Sequence, residues 1–152
     1  MARLVEFNEL KNYIGKDMGV SDWFEITQDR INTFADCTLD HQWIHVDLEK
    51  AKNGPYGTTI AHGFMALSLC SHLNYPDRVA VTGIKMALNY GLNKVRFMNP
   101  VPVGSRIRNH TKLKEVIDKG EGRTIMVTEN SVEIEGQEKP AMVAETLGML
   151  FT

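Results

Sequence analysis

Cysteine is scarce in this chain of 152 residues: there are two, Cys37 and Cys70, with no Cys-x-x-Cys spacing. That argues against a disulfide framework and against a structural zinc site, and a reducing cytoplasm is the simplest home. Long apolar runs are missing too, since none approaches the ~20 residues that a membrane-crossing helix needs. The opening Met1-Ala2-Arg3-Leu4-Val5-Glu6-Phe7 has no apolar stretch of the signal-peptide kind. Nor is there an excess of one charge. The formal net charge is −2, which leaves no overall electrostatic case for nucleic acid. No Gly-x-Ser-x-Gly is present, so serine-hydrolase chemistry is not expected. No motif for a metal, flavin or nicotinamide is found, and no cofactor is expected.

What remains is ordinary folding material: 43% hydrophobic residues and 24% charged. The length suits one domain over residues 1–152, with no repeat and no linker. Leu10, Tyr13 and Ile14 fall at helical spacing between Phe7 and Ile14, and Gly15 is placed to end that short helix. Trp23 to Ile26 reads as a strand. Thr27 is an N-cap for a helix through Ile31, Phe34 and Ala35, with Asp29 in its first turn. From Asp36 to Asp47 helical periodicity breaks and a turn is expected, and Asn53 to Gly57 is a loop by composition.

Gly63 to Leu73 is apolar on nearly every face, which predicts a helix buried all round, closed by Pro76. After it come strand-like runs: Ile84–Leu92, Lys94–Met98, Arg106–Ile117, Arg123–Ile134 and Ala141–Phe151. Gly120-Glu121-Gly122 and Gly136 mark hairpin turns. One buried helix followed by antiparallel strands is an α+β arrangement, most economical as a sheet around the helix.

The chemistry concentrates in Asp40 and His45, five residues apart, and in Gly63 at the helix start. An isolated Asp on a turn often just bonds its own backbone two residues on. A lone His is more often structural, yet its unperturbed pKa, about 6.5, suits proton exchange near neutral pH. Gly63 brings its N–H close to a ligand, and the first N–H groups of a helix lack intrahelical partners. The plain alternative is that Gly63 relieves crowding between helix and sheet. His41 and Asp47 read as loop and surface residues.

Ser68, Ser71, His72 and Tyr75 form a polar stripe on the apolar helix, a pattern that often means only hydroxyls bonding back to carbonyls. Arg106, Arg108, His110, Lys112 and Lys114 alternate along one strand. They read as a solvated sheet face or, less commonly, as a cradle for phosphates; Arg96 invites the same two readings.

Asp40-x-Gln42-x-x-His45-x-Asp47, then Gly57-x-x-Ile60-Ala61-His62-Gly63, then Arg96-Phe97-x-x-Pro100-Val101 resemble the MaoC-like hydratases, including R-specific enoyl-CoA hydratases. Gly19 to Gln28 is similar to the NodN-like branch of that family, and the likeness runs from about Leu10 to the C-terminus. The chain departs from the pattern at Gln42 and Trp43, where many hydratases have Asn and Pro.

The resemblance implies a hot-dog fold, an antiparallel sheet wrapped around a central helix, in a homodimer with ligand tunnels near the interface. It implies an acyl-CoA thioester as substrate, Asp40 and His45 as the acid–base pair, and the Gly63 N–H as oxyanion donor. Ser71 matches a position that supports the acyl pocket. Phe64 supplies apolar surface nearest Gly63, and Trp43 either narrows the site or packs under the turn. The carboxylate reads as the base that takes a proton from water and the imidazole as the donor to C2; the reverse assignment satisfies the sequence equally. A hot-dog acyl-CoA thioesterase, or a non-catalytic binder of acyl thioesters or signal lipids, is the alternative function.

Overall fold

The structure, a computed structural model, describes residues 4–73 and 80–152. Tyr75 and Pro76, which the sequence places in the polar stripe and at the helix end, lie outside the described residues. The chain opens with β1 (Leu4–Glu6) and, where a short helix is expected, a 3-10 helix over Phe7–Tyr13 whose Leu10 is fully buried. Gly15 follows in the left-handed region, φ 81°. The short strands β2 (Asp17–Val20) and β3 (Phe24–Glu25) come next.

Helix α1 (Gln28–Thr38) is capped as expected: the Thr27 hydroxyl accepts from the Arg30 N–H at 3.3 Å. Ile31 and Ala35, one turn apart, are buried. The helix runs past Ala35 and stops at Leu39, which adopts φ 61° while its side chain stays exposed. For a residue with a Cβ this conformation costs about 1–2 kcal/mol, and nothing in side-chain burial offsets it. It turns the chain sharply just before Asp40. The expected turn over Asp36–Asp47 is therefore shorter, because α2 (Trp43–Val46) and α3 (Leu48–Lys52) form within and after it. Asp47 caps α3, accepting from the Lys50 N–H at 2.9 Å.

Helix α4 (Gly63–Leu73) buries Met65, Ala66, Cys70 and Leu73 but leaves Phe64 67% exposed, with Ser68, Ser71 and His72 also open. It is not buried all round. Hydropathy alone did not reveal that only one stripe of this helix meets the chain's own sheet.

After β4 (Ala80–Thr82) come four long strands, β5 (Met86–Phe97), β6 (Arg106–Gly120), β7 (Arg123–Ile134) and β8 (Met142–Phe151). They form an antiparallel sheet in the order β2-β6-β7-β8-β5, with β3 beside β2 on β6, while β1 and β4 pair separately in parallel. The two runs expected at Ile84–Leu92 and Lys94–Met98 are one strand, β5. Its register against β8 shifts between Asn89 and Gly91 and again between Leu92 and Lys94. Such irregularities break the alternation by which a strand is read.

On the inner face of the sheet Ile107, Val132, Ile134, Met142 and Ala144 pack with Met65, Cys70 and Leu73 of α4. At the far end Leu113 and Leu150 pack with Leu10 and Met18. The α+β hot-dog expectation holds: one face of an antiparallel sheet carries α4. No helix among the described residues is long and apolar enough to cross a membrane.

Candidate functional site

The short helix α2 exists to aim one imidazole inward. His45 is buried, and its Nδ1 lies 2.7 Å from the Ile60 carbonyl oxygen. A carbonyl only accepts, so the proton sits on Nδ1 and the Nε2 lone pair is left open. Burial, first, and the charge of neighbouring His62 hold the His45 pKa below the ordinary 6.5, against the opposing pull of the Ile60 bond and Asp40. The ring is thus neutral at neutral pH.

Two further bonds lock the segments that meet here. The Gln28 side-chain amide donates to the His45 carbonyl at 2.8 Å, and its oxygen accepts from the buried Thr59 hydroxyl at 2.5 Å. Thr59 directly precedes Ile60, so a single glutamine at the start of α1 ties the backbone of His45 to the segment that holds its ring. The Ile60 N–H in turn donates to the Ile44 carbonyl at 3.0 Å.

His62 joins both expected site residues. Its Nε2–H donates to the Asp40 backbone carbonyl at 2.9 Å, and its ring stacks on His45 with centroids 3.7 Å apart. Phe34 closes another side at 5.0 Å. The His62 Nδ1 is buried without a hydrogen-bond partner among the described residues. Asp40 stands at the mouth, its side chain 54% exposed; one of its oxygens accepts weakly from the Gln42 N–H at 3.4 Å. One polar atom from each of Asp40, His45 and His62 lies within 4.8 Å of the others. A metal bound by both imidazoles needs lone pairs that converge, whereas rings only 23° from parallel send theirs side by side.

Gly63 begins α4 beside this cluster. A Cβ there would lie 3.0–3.2 Å from the Phe97 ring, so the crowding reading of this glycine has a definite partner. Phe64 tilts against the same ring at 5.5 Å. The Trp43 ring packs over Gly54, with the Lys50 ammonium 4.8 Å from its centroid. Ser71, two turns along α4, lines a cavity against the inner face of the sheet. His41 pairs with Asp36 at the surface.

The basic strand is a paired surface. Arg106 binds Glu135, Arg108 and His110 share Glu133 at 2.6 Å each, and Lys114 binds Glu145. Glu133, Glu135 and Glu145 are held below the usual carboxylate range, chiefly by these bonds. Arg96 is exposed and donates to its neighbour's Val95 carbonyl at 2.7 Å.

His62, Gln28 and Thr59 were not singled out from sequence as site residues. The one available signal is His62's place in the Ile60-Ala61-His62-Gly63 motif, next to Gly63.

A family model described as MaoC like domain matches residues 9–137. The chain is 55% identical over 133 residues to 3-hydroxyacyl-thioester dehydratase Z of Mycobacterium tuberculosis, covering 88% of this chain and 87% of the relative. It is 41% identical over 143 residues to nodulation protein N of Rhizobium leguminosarum bv. viciae, covering 93% and 89%. Among solved structures, a monoamine oxidase regulatory protein from Archaeoglobus fulgius superposes with a TM-score of 0.78 at 25% identity, over 100% of this chain and 98% of that one. The match spans most of the chain, including Asp40, His45, His62 and Gly63, and on that footing the chain belongs to the MaoC-like domain family.

Proposed function

We propose that this protein catalyses the reversible, R-specific hydration of trans-2-enoyl-CoA to (R)-3-hydroxyacyl-CoA. The observation that carries the reading is the pairing of an open Asp40 carboxylate with a neutral His45 whose Nδ1 is pinned to Ile60, at the start of α4. The relative of highest identity above is named for dehydration of a 3-hydroxyacyl thioester, the same reaction run backwards.

Hydration places OH on C3 and H on C2 while the thioester oxygen gathers negative charge. The N–H groups at the start of α4, Gly63 first, face that charge with the positive end of the helix dipole. Asp40 and the open Nε2 of His45 hold the attacking water between them. The resting imidazole has no Nε2 proton to give, so the proton that reaches C2 comes from that water, taken up and passed on within the pair. This revises the division of labour expected from sequence: His45 becomes a donor only after it has accepted. Positioned acid–base groups supply about 10²–10⁴-fold, and one oxyanion donor roughly 10²-fold more.

The working unit is a homodimer in the cytoplasm. β5 is a sheet edge whose Met86, Leu88, Tyr90, Leu92 and Phe97 are exposed, as is Phe64 beside it on α4. A long apolar edge invites a second copy. Light scattering at micromolar concentration should give twice the 17.1 kDa chain mass or a multiple of it; a monomer alone would contradict this.

The activity test is the loss of enoyl-thioester absorbance with trans-2-butenoyl-CoA, followed by chiral analysis of the product. The R alcohol is expected. The S alcohol would overturn the stereochemistry. Release of free thiol from saturated acyl-CoA without hydration would overturn the reaction.

A further inference from the structure

We infer that the acyl end of this site is built for a chain carrying a neutral oxygen function, a hydroxyl or a ketone, well away from the thioester. The inference rests on the hydratase reading above and names the substrate class for it.

The inner face of the sheet is apolar at both ends but not in the middle. Between the two apolar clusters lie Asn109, Thr111, Thr128, Asn130 and Thr146, contributed by three adjacent strands. All but Thr146 are buried. A sheet face packed on the core normally alternates apolar residues inward, and buried polar groups are costly unless bonded. Most of this band satisfies itself. Asn109 Nδ2 donates to Asn130 Oδ1 at 2.9 Å, and Asn130 Nδ2 donates to the hydroxyls of Thr128 at 3.2 Å and Thr146 at 3.0 Å.

The two threonine hydroxyls are themselves 2.8 Å apart. Each carries one proton, and their mutual bond consumes one of the two. Asn130 donates to both and accepts from neither. The pair therefore keeps one O–H that makes no hydrogen bond to an acceptor among the described residues, and both threonines line a cavity of about 550 Å³.

That cavity has mixed walls. Ser71, Asn89, Thr111, Thr128 and Thr146 border it, and the remaining surface is largely aliphatic, including Met126, Leu147 and Leu150. No charged side chain is among the described lining residues. The chemistry selects an otherwise apolar occupant with an oxygen acceptor and no charge, which excludes a free carboxylate. Ser71 stands eight residues beyond Gly63 on α4, about 12 Å along the helix axis at 1.5 Å per residue. The oxygen thus belongs toward the far end of a medium-length acyl chain, remote from the reacting carbons.

The test compares trans-2-decenoyl-CoA with its derivatives bearing a hydroxyl or ketone at the penultimate carbon, with butenoyl-CoA as the chain too short to reach. The wild type should favour an oxygenated chain about tenfold or more in kcat/KM, because a site built to bond a polar group discriminates against the analogue lacking it. Replacing Thr128 and Thr146 together by Val should abolish that preference. Wild-type protein that hydrates butenoyl-CoA yet handles the plain decenoyl chain as well as the oxygenated ones overturns the inference and leaves the hydratase reading standing. The substrate comparison needs only the wild type, so it decides even if the valine variant fails to fold. Hydration of no substrate at all would defeat the hydratase reading, and this inference with it.

Discussion

The imidazoles of His45 and His62 lie face to face, centroids 3.7 Å apart, and His62 also donates to the backbone carbonyl of Asp40 at 2.9 Å. One buried side chain thus touches both residues of the acid–base pair, although 22 residues separate it from Asp40 in the chain. Its effect on catalysis is one of position. A misplacement of about 1 Å in a catalytic group can cost around 10²-fold. His62→Ala should therefore lower kcat for enoyl-CoA hydration by about 10–10²-fold, with a smaller change in KM. It should also move the acid limb of the pH–rate profile upward, since both the burial and the charge that depress His45 are relieved. A folded variant with an unmoved acid limb would show that His62 only fills space.

The depressed pKa of His45 has a consequence for stability. The folded state holds His45 neutral at pH values where the unfolded chain, near 6.5, already binds a proton. Stability from this group is therefore fully present above pH 6.5 and is lost as pH falls through the lower folded value. Urea denaturation between pH 5 and 8 should show midpoints declining on the acid side. His45→Gln should flatten the decline; an equally steep decline in that variant would assign the acid sensitivity to other groups.

Gly63 allows the crowding and oxyanion readings to be separated by a pair of substitutions. An alanine keeps the N–H but places a Cβ 3.0–3.2 Å from the half-exposed Phe97 ring, which must give way. Gly63→Ala should reduce hydration by about 10-fold or more, within the range set by spoiling one oxyanion donor. Adding Phe97→Leu should recover much of the loss if the displaced helix start is the cause. A double variant no better than the single one would place the cost at the ligand itself.

The parts of the fold legible in the sequence are those with strong local signals. The Thr27 cap, the bounds of β7 and the Gly120-Glu121-Gly122 turn depend on neighbouring residues, and all appear as read. Elements held by distant partners were not legible: β1 and β4 are three residues each and stand 76 positions apart in register. The bulges in β5 made one strand look like two. In the site, Asp40 and His45 lie close together, and His62, the residue before Gly63, joins them. His62 and the Gln28–Thr59 bond were invisible, because a hydrogen bond spanning 31 residues leaves no periodic trace. The packing of the Trp43 ring against Gly54, eleven residues on, left no local signal either.

The central claim is that Asp40 and His45 together move the proton of water. It is tested most directly by Asp40→Asn, a near-isosteric change at an exposed side chain that leaves the packing of α1 and α2 intact. Hydration of trans-2-butenoyl-CoA should fall by about 10²–10⁴-fold in kcat, the size of a positioned acid–base contribution, with the thermal transition unchanged. Wild-type turnover by a folded Asp40→Asn protein would contradict the account.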